Sequence, residues 1–254
     1  MLSSCIELTT NLKTFKRKRD MSLFFASAPL LILGGIFVLL VYVFNVSLDL
    51  LLGIYTPLAL VYIGFVFYIR LKINFYSMNY RYYHMIVNGS ERIGISGRLL
   101  SPSWLSFLIQ KGYAIRYNDD KHSLYYKIVK KVHNKSTGMT ILVVNIAKTK
   151  EYDFYNPDVD REVESILATH PDNKHIRKVI TLQFKAYESF EESKDEIDKI
   201  ICFKMHDNYI INITVGYFES TSEIYFLHPK KVYPNAFYYI ACQEIKDLCG
   251  IKED

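Results

Sequence analysis

Between Asp20 and Arg70 the chain carries a single formal charge, Asp49, in a run dominated by Leu, Ile, Val, Phe and Ala. A helix needs roughly 20 apolar residues to cross the hydrocarbon core of a bilayer. The run therefore predicts two crossings, about 22–44 and 50–69, with a turn over Asn45, Val46, Ser47, Leu48 and Asp49. Peptide groups in lipid must be paired within their own segment, which a helix achieves alone. The expected architecture is a two-helix transmembrane hairpin followed by a cytosolic α+β domain, with a mixed, largely antiparallel sheet covered by helices.

Charge gives the hairpin a direction. The chain holds 31 basic and 26 acidic residues. Lys13, Lys16, Arg17, Lys18, Arg19, Arg70 and Lys72 fall within the first 74 residues, beside only Glu7, Asp20 and Asp49. Lys and Arg close to the ends of a span favour the cytoplasmic side. Lys16, Arg17, Lys18 and Arg19 precede the first span, Arg70 and Lys72 follow the second, and the turn has no cation. The expectation is an integral protein of the inner or plasma membrane with both termini cytoplasmic. The lipid bilayer is its first partner, and the cations would also attract anionic lipid. The remaining 180 residues, with 24 basic and 23 acidic side chains, are nearly neutral. Nucleic-acid binding, which rests on neutralising phosphates, is therefore not expected.

The first span could be read as a signal peptide. Its cleavage-like triplet Ala26-Ser27-Ala28 lies at the start of the apolar run, however, where processing would need it at the end. Neither span carries an ionisable residue near its middle, which argues against an ion path. Small residues (Ala26, Ser27, Ala28, Gly34 and Gly35, then Gly53, Ala59 and Gly64) allow close helix approach and are compatible with a homo-oligomer.

The chain divides into a basic tail at 1–20, expected to be poorly ordered, the hairpin at 21–73, a juxtamembrane linker at 74–100 and a folded domain at 101–254. The aromatic residues Phe75, Tyr76, Tyr80, Tyr82 and Tyr83 read as an interfacial belt. Ser101-Pro102 opens a helix with Trp104, Leu105, Leu108 and Ile109 on one face, ended by Gly112. Strands are expected at 113–117, 124–132 and 140–147, then a helix from Asn156-Pro157. The stretch 179–187 alternates, with Ile180, Leu182, Phe184 and Ala186 on one side and Thr181, Gln183 and Lys185 on the other, the pattern of a half-buried strand. A short acidic helix at 188–198, a hairpin of 209–218 with 223–227, and a last helix at 235–248 complete the domain.

Two resemblances bear on chemistry. Gly94-Ile95-Ser96-Gly97 resembles the motif around the nucleophile of rhomboid intramembrane proteases, but that family needs six or more spans and a partner histidine, and neither span here contains one. The order helix, three strands, helix, strand resembles restriction-endonuclease-like nucleases. That resemblance implies a divalent metal held by an acid near the second strand and a Glu-x-Lys-like pair on the third. Asp119 and Asp120 precede the second strand, while the third contains no acid and only Lys148 and Glu151 follow it.

His170 and His175 flank a proline loop without fixed ligand geometry, and the four cysteines form no Cys-x-x-Cys pair. Four Asn-x-Ser/Thr triplets, at Asn45, Asn88, Asn134 and Asn212, lie against the bilayer or on the inferred cytosolic side, so none reads as glycosylated. No catalytic residue, cofactor or metal is assigned. The sequence reads as a membrane-anchored domain that binds a protein partner or regulates a membrane complex. A tethered metal-dependent hydrolase using Asp119, Asp120, Lys148 and Glu151 is the alternative. The segment 209–227 is the expected docking edge.

Overall fold

The computed structural model describes residues 2–132, 135–155, 157–172, 175–205 and 208–251. The chain falls into two compact units, residues 1–87 and 88–254.

The first unit is an antiparallel pair of helices, α1 (Leu2–Tyr42) and α2 (Leu48–Asn88), of 41 residues each. At 1.5 Å per residue each is about 60 Å long, twice the thickness of a hydrocarbon core. The turn between them places Asn45 at φ 48°, a conformation Asn tolerates better than most residues. Register is fixed by two hydrogen bonds across the pair. The Tyr55 hydroxyl donates to the Leu33 carbonyl (3.1 Å) and the Tyr62 hydroxyl to the Ala26 carbonyl (2.6 Å).

Both flanks of the apolar run differ from expectation. Residues 2–20 are helical, and the segment expected as a linker continues α2 as far as Asn88. The two extensions support each other. Phe15 stacks on Tyr83 at 5.4 Å and lies 6.4 Å from Phe75, while the Arg19 guanidinium sits 4.3 Å from the Tyr80 ring centroid. The aromatic cluster thus packs against α1 as well as following the apolar stretch of α2. No helix breaker intervenes until Gly89, at φ +66°, ends α2.

The second unit is an α/β domain around a mixed open sheet. Its elements are β1 (Ile93–Gly94), α3 (Pro102–Gln110), β2 (Ala114–Asn118), β3 (His122–Val132), β4 (Lys135–Ala147), α4 (Pro157–Thr169), β5 (Lys178–Ala186), α5 (Phe190–Ile197), β6 (Ile201–Met205), β7 (Asn208–Phe218), β8 (Glu223–Phe226) and α6 (Ala236–Leu248). The order across the sheet is β1-β8-β7-β5-β4-β3-β2. Its centre, β4-β5-β7, is parallel, and the remaining pairs are antiparallel. Parallel neighbours require crossovers, and α4 and α5 supply them.

The crossover helices share one face of the sheet. Val159, Val163 and Ile166 of α4 pack on Leu124, Ile141 and Val143, and Ile197 of α5 packs with Phe218 and Tyr225. On the opposite face Trp104 of α3 lies 5.1 Å from Phe184, and Phe237 of α6 lies 4.5 Å from Tyr209. Helices on both sides bury the central strands twice.

That burial corrects two sequence expectations. Strand β5 is buried on both faces: Thr181, Gln183 and Lys185 are 4%, 7% and 7% exposed. A strand between two parallel neighbours under crossover helices has no solvent face. Nor is 209–227 a free edge. β5 pairs along one side of β7, while β6 and β8 divide the other, at 208–212 and 215–218. The strands β1 and β6 were not expected. β1 has two residues, and β6 is a five-residue run that earns its place only by pairing with β7.

Candidate functional site

The parallel strands end together. Beyond Ala147 of β4, Ala186 of β5 and Phe218 of β7 the outgoing loops enclose a cleft of about 400 Å³. The carboxyl ends of parallel strands are where open α/β sheets place ligands, and this volume is of ligand size. One wall is Lys148, Thr149 and Lys150, and the other comes from Tyr187, Glu188, Glu219 and Ser220. Lys185 reaches the floor.

Each cation of the cleft has a partner. Lys148 Nζ donates to Asn118 Oδ1 (2.7 Å) and to the Asp119 carbonyl. Lys150 pairs with Glu188, which raises the lysine pKa and lowers that of the carboxylate. Arg98 pairs with Glu219 at the rim. Exposed ion pairs of this kind contribute little to stability.

Lys185 differs because it is buried. Its ammonium donates to the Tyr152 carbonyl (3.1 Å) and to Glu196 Oε1 (3.2 Å), and it lies 5.2 Å from the Tyr187 ring centroid. The loop after β4 makes this arrangement by tucking Tyr152 and Phe154 over Ala147. Only the lysine of this pair is desolvated: the Glu196 side chain is 39% exposed, so water can solvate it when its partner is removed and no buried charge is left stranded. Replacing Lys185 with methionine, similar in volume, is expected to change the unfolding free energy by less than about 1 kcal/mol or to raise it. Thermal unfolding of the detergent-solubilised chain checks this. A loss of several kcal/mol would instead make the lysine a structural keystone.

A polar seam continues from Lys185 across the same face. Thr214 Oγ1 donates to Gln183 Oε1 (3.1 Å), and the fully buried Asn145 places Nδ2 3.5 Å from the Tyr152 hydroxyl. His122 stacks on Tyr152 with ring centroids 4.8 Å apart. Among the described residues, His122 Nδ1, Asn145 Oδ1, Tyr187 Oη and Asn212 Oδ1 are buried without a hydrogen-bond partner. His122 Nδ1 is 3.5 Å from Asp119 Oδ1 but is not aligned to bond with it. Such orphans are rare in native proteins, and all four belong to residues on or beside β3, β4, β5 and β7.

Burial lowers the His122 pKa, with Asp119 offsetting part of the effect, and burial also lowers that of His228. The unfolded state then binds more protons than the folded one once the pH drops below the ordinary histidine value of about 6.5. Their contribution is present above that value and is lost as the pH falls through the lowered native pKa values. The melting temperature is expected to decline between pH 7.5 and pH 5.5, about the window these histidines span. Asparagine at both positions should flatten the decline in a pH series of thermal melts.

The residues of the hydrolase alternative do not form a ligand shell. Asp119 Oδ1 accepts from the Lys121 and His122 amides at 2.8 and 2.7 Å, closing its own turn, and Oδ2 accepts from the Tyr117 hydroxyl (3.1 Å). Among the described residues no three His, Cys, Asp or Glu side chains gather as a metal site. His170 Nδ1 accepts from the Asp172 amide (3.1 Å), a local turn contact. Cys202, Cys242 and Cys249 are free thiols whose pKa values burial pushes up, that of Cys202 to about 11. Gly94 belongs to β1, paired with Glu223 of β8, so the protease-like motif starts in sheet structure.

The six cations that set the topology expectation share one level of the helix pair. With Tyr62 opposite Ala26, seven residues further along brings Ile69 opposite Arg19. Lys16, Arg17, Lys18 and Arg19 therefore stand beside Arg70 and Lys72. The buried polar seam is the feature the sequence reading missed. Its only linear trace is the alternation in β5, which looks the same whether its polar side faces water or an internal seam. No protein-family profile matches the chain, and neither a curated protein nor a solved structure matches it.

Proposed function

We propose that this protein is a membrane-anchored regulatory or scaffold component: α1 and α2 cross the bilayer, both termini lie in the cytosol, and the α/β domain engages a protein partner. One observation carries the anchor. The most apolar stretch of α1 has no buried residue, and that of α2 only 6%. A core helix of a soluble domain would be covered. Here Phe24, Leu31, Val61 and Phe67 are all more than 60% exposed. Contiguous apolar surface far beyond a few hundred Å² demands a nonaqueous cover. From Arg19 to the turn the pair measures about 36 Å, which fits a hydrocarbon core plus part of one interface.

The domain supports the second half of the reading by what its charges do. Lys150 and Lys185 of the cleft are paired with Glu188 and Glu196, Lys148 is held by the Asn118 side chain and the Asp119 carbonyl, and the best-placed acid of the hydrolase alternative, Asp119, closes its own turn. The open strand for a partner is β2, which ends the sheet and has every residue exposed, Ile115 and Tyr117 at 51% and 40%. An unpaired edge with exposed side chains is a template for strand addition.

The anchor is tested by protease protection in intact cells and inverted vesicles. Digestion beyond Lys72 only in inverted vesicles, with labelling of a cysteine at Ser47 only from outside, is the expected pair of results. Recovery of the intact chain in a detergent-free soluble fraction would refute the anchor. For the partner, a photo-crosslinking residue at Ile115 should form a discrete adduct in cells, and failure there would remove β2 as the docking edge.

A further inference from the structure

Around the level of the cation belt, the surface between α1 and α2 dips into a groove of about 430 Å³. Its two ends differ chemically. Lys18 and Lys72 stand at one, Phe25 and Phe65 at the other, and Ser22 and Ile69, only 9% and 8% exposed, lie between them. The spacing is the same on both helices: seven residues separate Lys18 from Phe25, and seven separate Phe65 from Lys72. Seven residues is two turns, so each lysine lies on the same helix face as its phenylalanine and about 10 Å from it along the axis. Because the helices are antiparallel, both lysines point to the cytosolic end and both phenylalanines toward the bilayer interior.

The lysines have no counter-anion among the described ion pairs. Lys72 Nζ lies 5.0 Å from the Tyr68 ring centroid and Lys18 Nζ 5.9 Å from that of Tyr76, and neither forms a salt bridge. Neighbouring Arg19, by contrast, is held by Asp20 at 2.7 Å. Two ammonium groups over aromatic rings, with an apolar trough leading away from them, form an amphipathic receptacle.

We infer that this groove seats one anionic phospholipid, its headgroup phosphate between Lys18 and Lys72 and an acyl chain along Ser22, Phe25, Phe65 and Ile69. Charge complementarity selects the occupant. A zwitterionic headgroup brings its own cation to the lysine pair, whereas an anionic one leaves a net charge for them to neutralise. The inference rests on the membrane reading above and extends it from a general surface attraction to a defined lipid position.

The full chain is reconstituted into vesicles of phosphatidylcholine, with and without phosphatidylglycerol, and flotation scores insertion. Trace photoactivatable analogues of each lipid, with the reactive group on the acyl chain, then report occupancy by mass spectrometry of the labelled peptides. Each cation near an anionic surface is worth about a fivefold preference, so two together predict labelling of the Phe25 and Phe65 peptides about 25-fold in favour of the anionic probe. The K18Q/K72Q variant is expected to float normally and lose that preference. The K16Q/R17Q variant removes the same charge beside the groove and should keep it. Equal labelling by both probes, or loss of preference in both variants alike, overturns the lipid position while leaving the anchor intact. Complete competition by glycerol phosphate would show a headgroup site without a lipid and would also overturn it. Failure to float at all would overturn the membrane reading, and this inference with it.

Discussion

Glu244→Ala is expected to destabilise the α/β domain by about 3–5 kcal/mol, the cost of stranding a buried charge. The Glu244 carboxylate is nearly inaccessible. It accepts from the Tyr113 hydroxyl (2.8 Å) and from Lys127 Nζ (2.5 Å), so it joins α6 to β3 and to the turn after α3. Removing it leaves the Lys127 side chain, 16% exposed, without its carboxylate partner and with the Tyr113 ring centroid 4.2 Å from Nζ. It also orphans a phenol whose pKa burial and the carboxylate together hold well above its ordinary value. The loss should appear as a melting temperature lower by about 10 °C or more. The mechanism is separable from simple loss of packing. A K127M/Y113F/E244L triple variant removes every polar partner at once and should regain most of the lost stability. A triple variant as unstable as the single one would show that shape, not charge, is the issue.

A second large effect is expected at Phe184. Its side chain is fully buried at the middle of the sheet, on the α3/α6 face, with Trp104 at 5.1 Å and an interplanar angle of 60°. Truncation to alanine removes the ring and leaves a cavity under α3, a change that costs about 3–5 kcal/mol in well-packed cores. Trp104, the only tryptophan of the chain, reports on the site directly. Its indole N–H donates to the Leu248 carbonyl (2.8 Å), tying α3 to the end of α6. Phe184→Ala should therefore shift Trp104 emission to the red as well as lower the denaturation midpoint, while Phe184→Leu recovers much of both. An unchanged emission maximum with unchanged midpoint would contradict the packing described.

Several local signals in the sequence were read accurately, although β4 begins at Lys135 and runs through the 135–138 stretch expected as a turn. Ser101 caps α3 by accepting from the Trp104 amide (3.4 Å), and Asn235 caps α6 by accepting from the Tyr238 amide (2.8 Å). Gly112 adopts φ +87° where the first domain helix was expected to stop. The mixed sheet follows from strand order and helix placement. What could not be read was set by partners distant in the chain. Thr181, Gln183 and Lys185 give the pattern of a wetted face, and only the arrival of α4, α5 and the Tyr152 loop makes it an interior. Ile201–Met205 lacks a strong strand signature and becomes a strand because β7 leaves half an edge open to it. The helical extensions at 2–20 and 74–88 stabilise one another through Phe15 and Arg19, contacts that no single window of sequence contains. The cleft was invisible for the same reason, since its walls come from loops about 40 residues apart.

The position of β7 bears on how the domain can be assembled during synthesis. Strands β2, β3 and β4 form a meander of short-range pairings that can close as soon as they emerge from the ribosome. β5 then presents its second side with nothing to cover it until β7 is made, and β6, β8 and β1 all depend on β7 in turn. Pairings between strands far apart in the chain are slow to form, and exposed strand edges invite association with other chains. The nascent protein would pass through an interval with its helical hairpin complete and half of its sheet unfinished. Stalled or truncated products ending before Phe218 should consequently be the aggregation-prone species, and engagement of β5 by a chaperone would shield them.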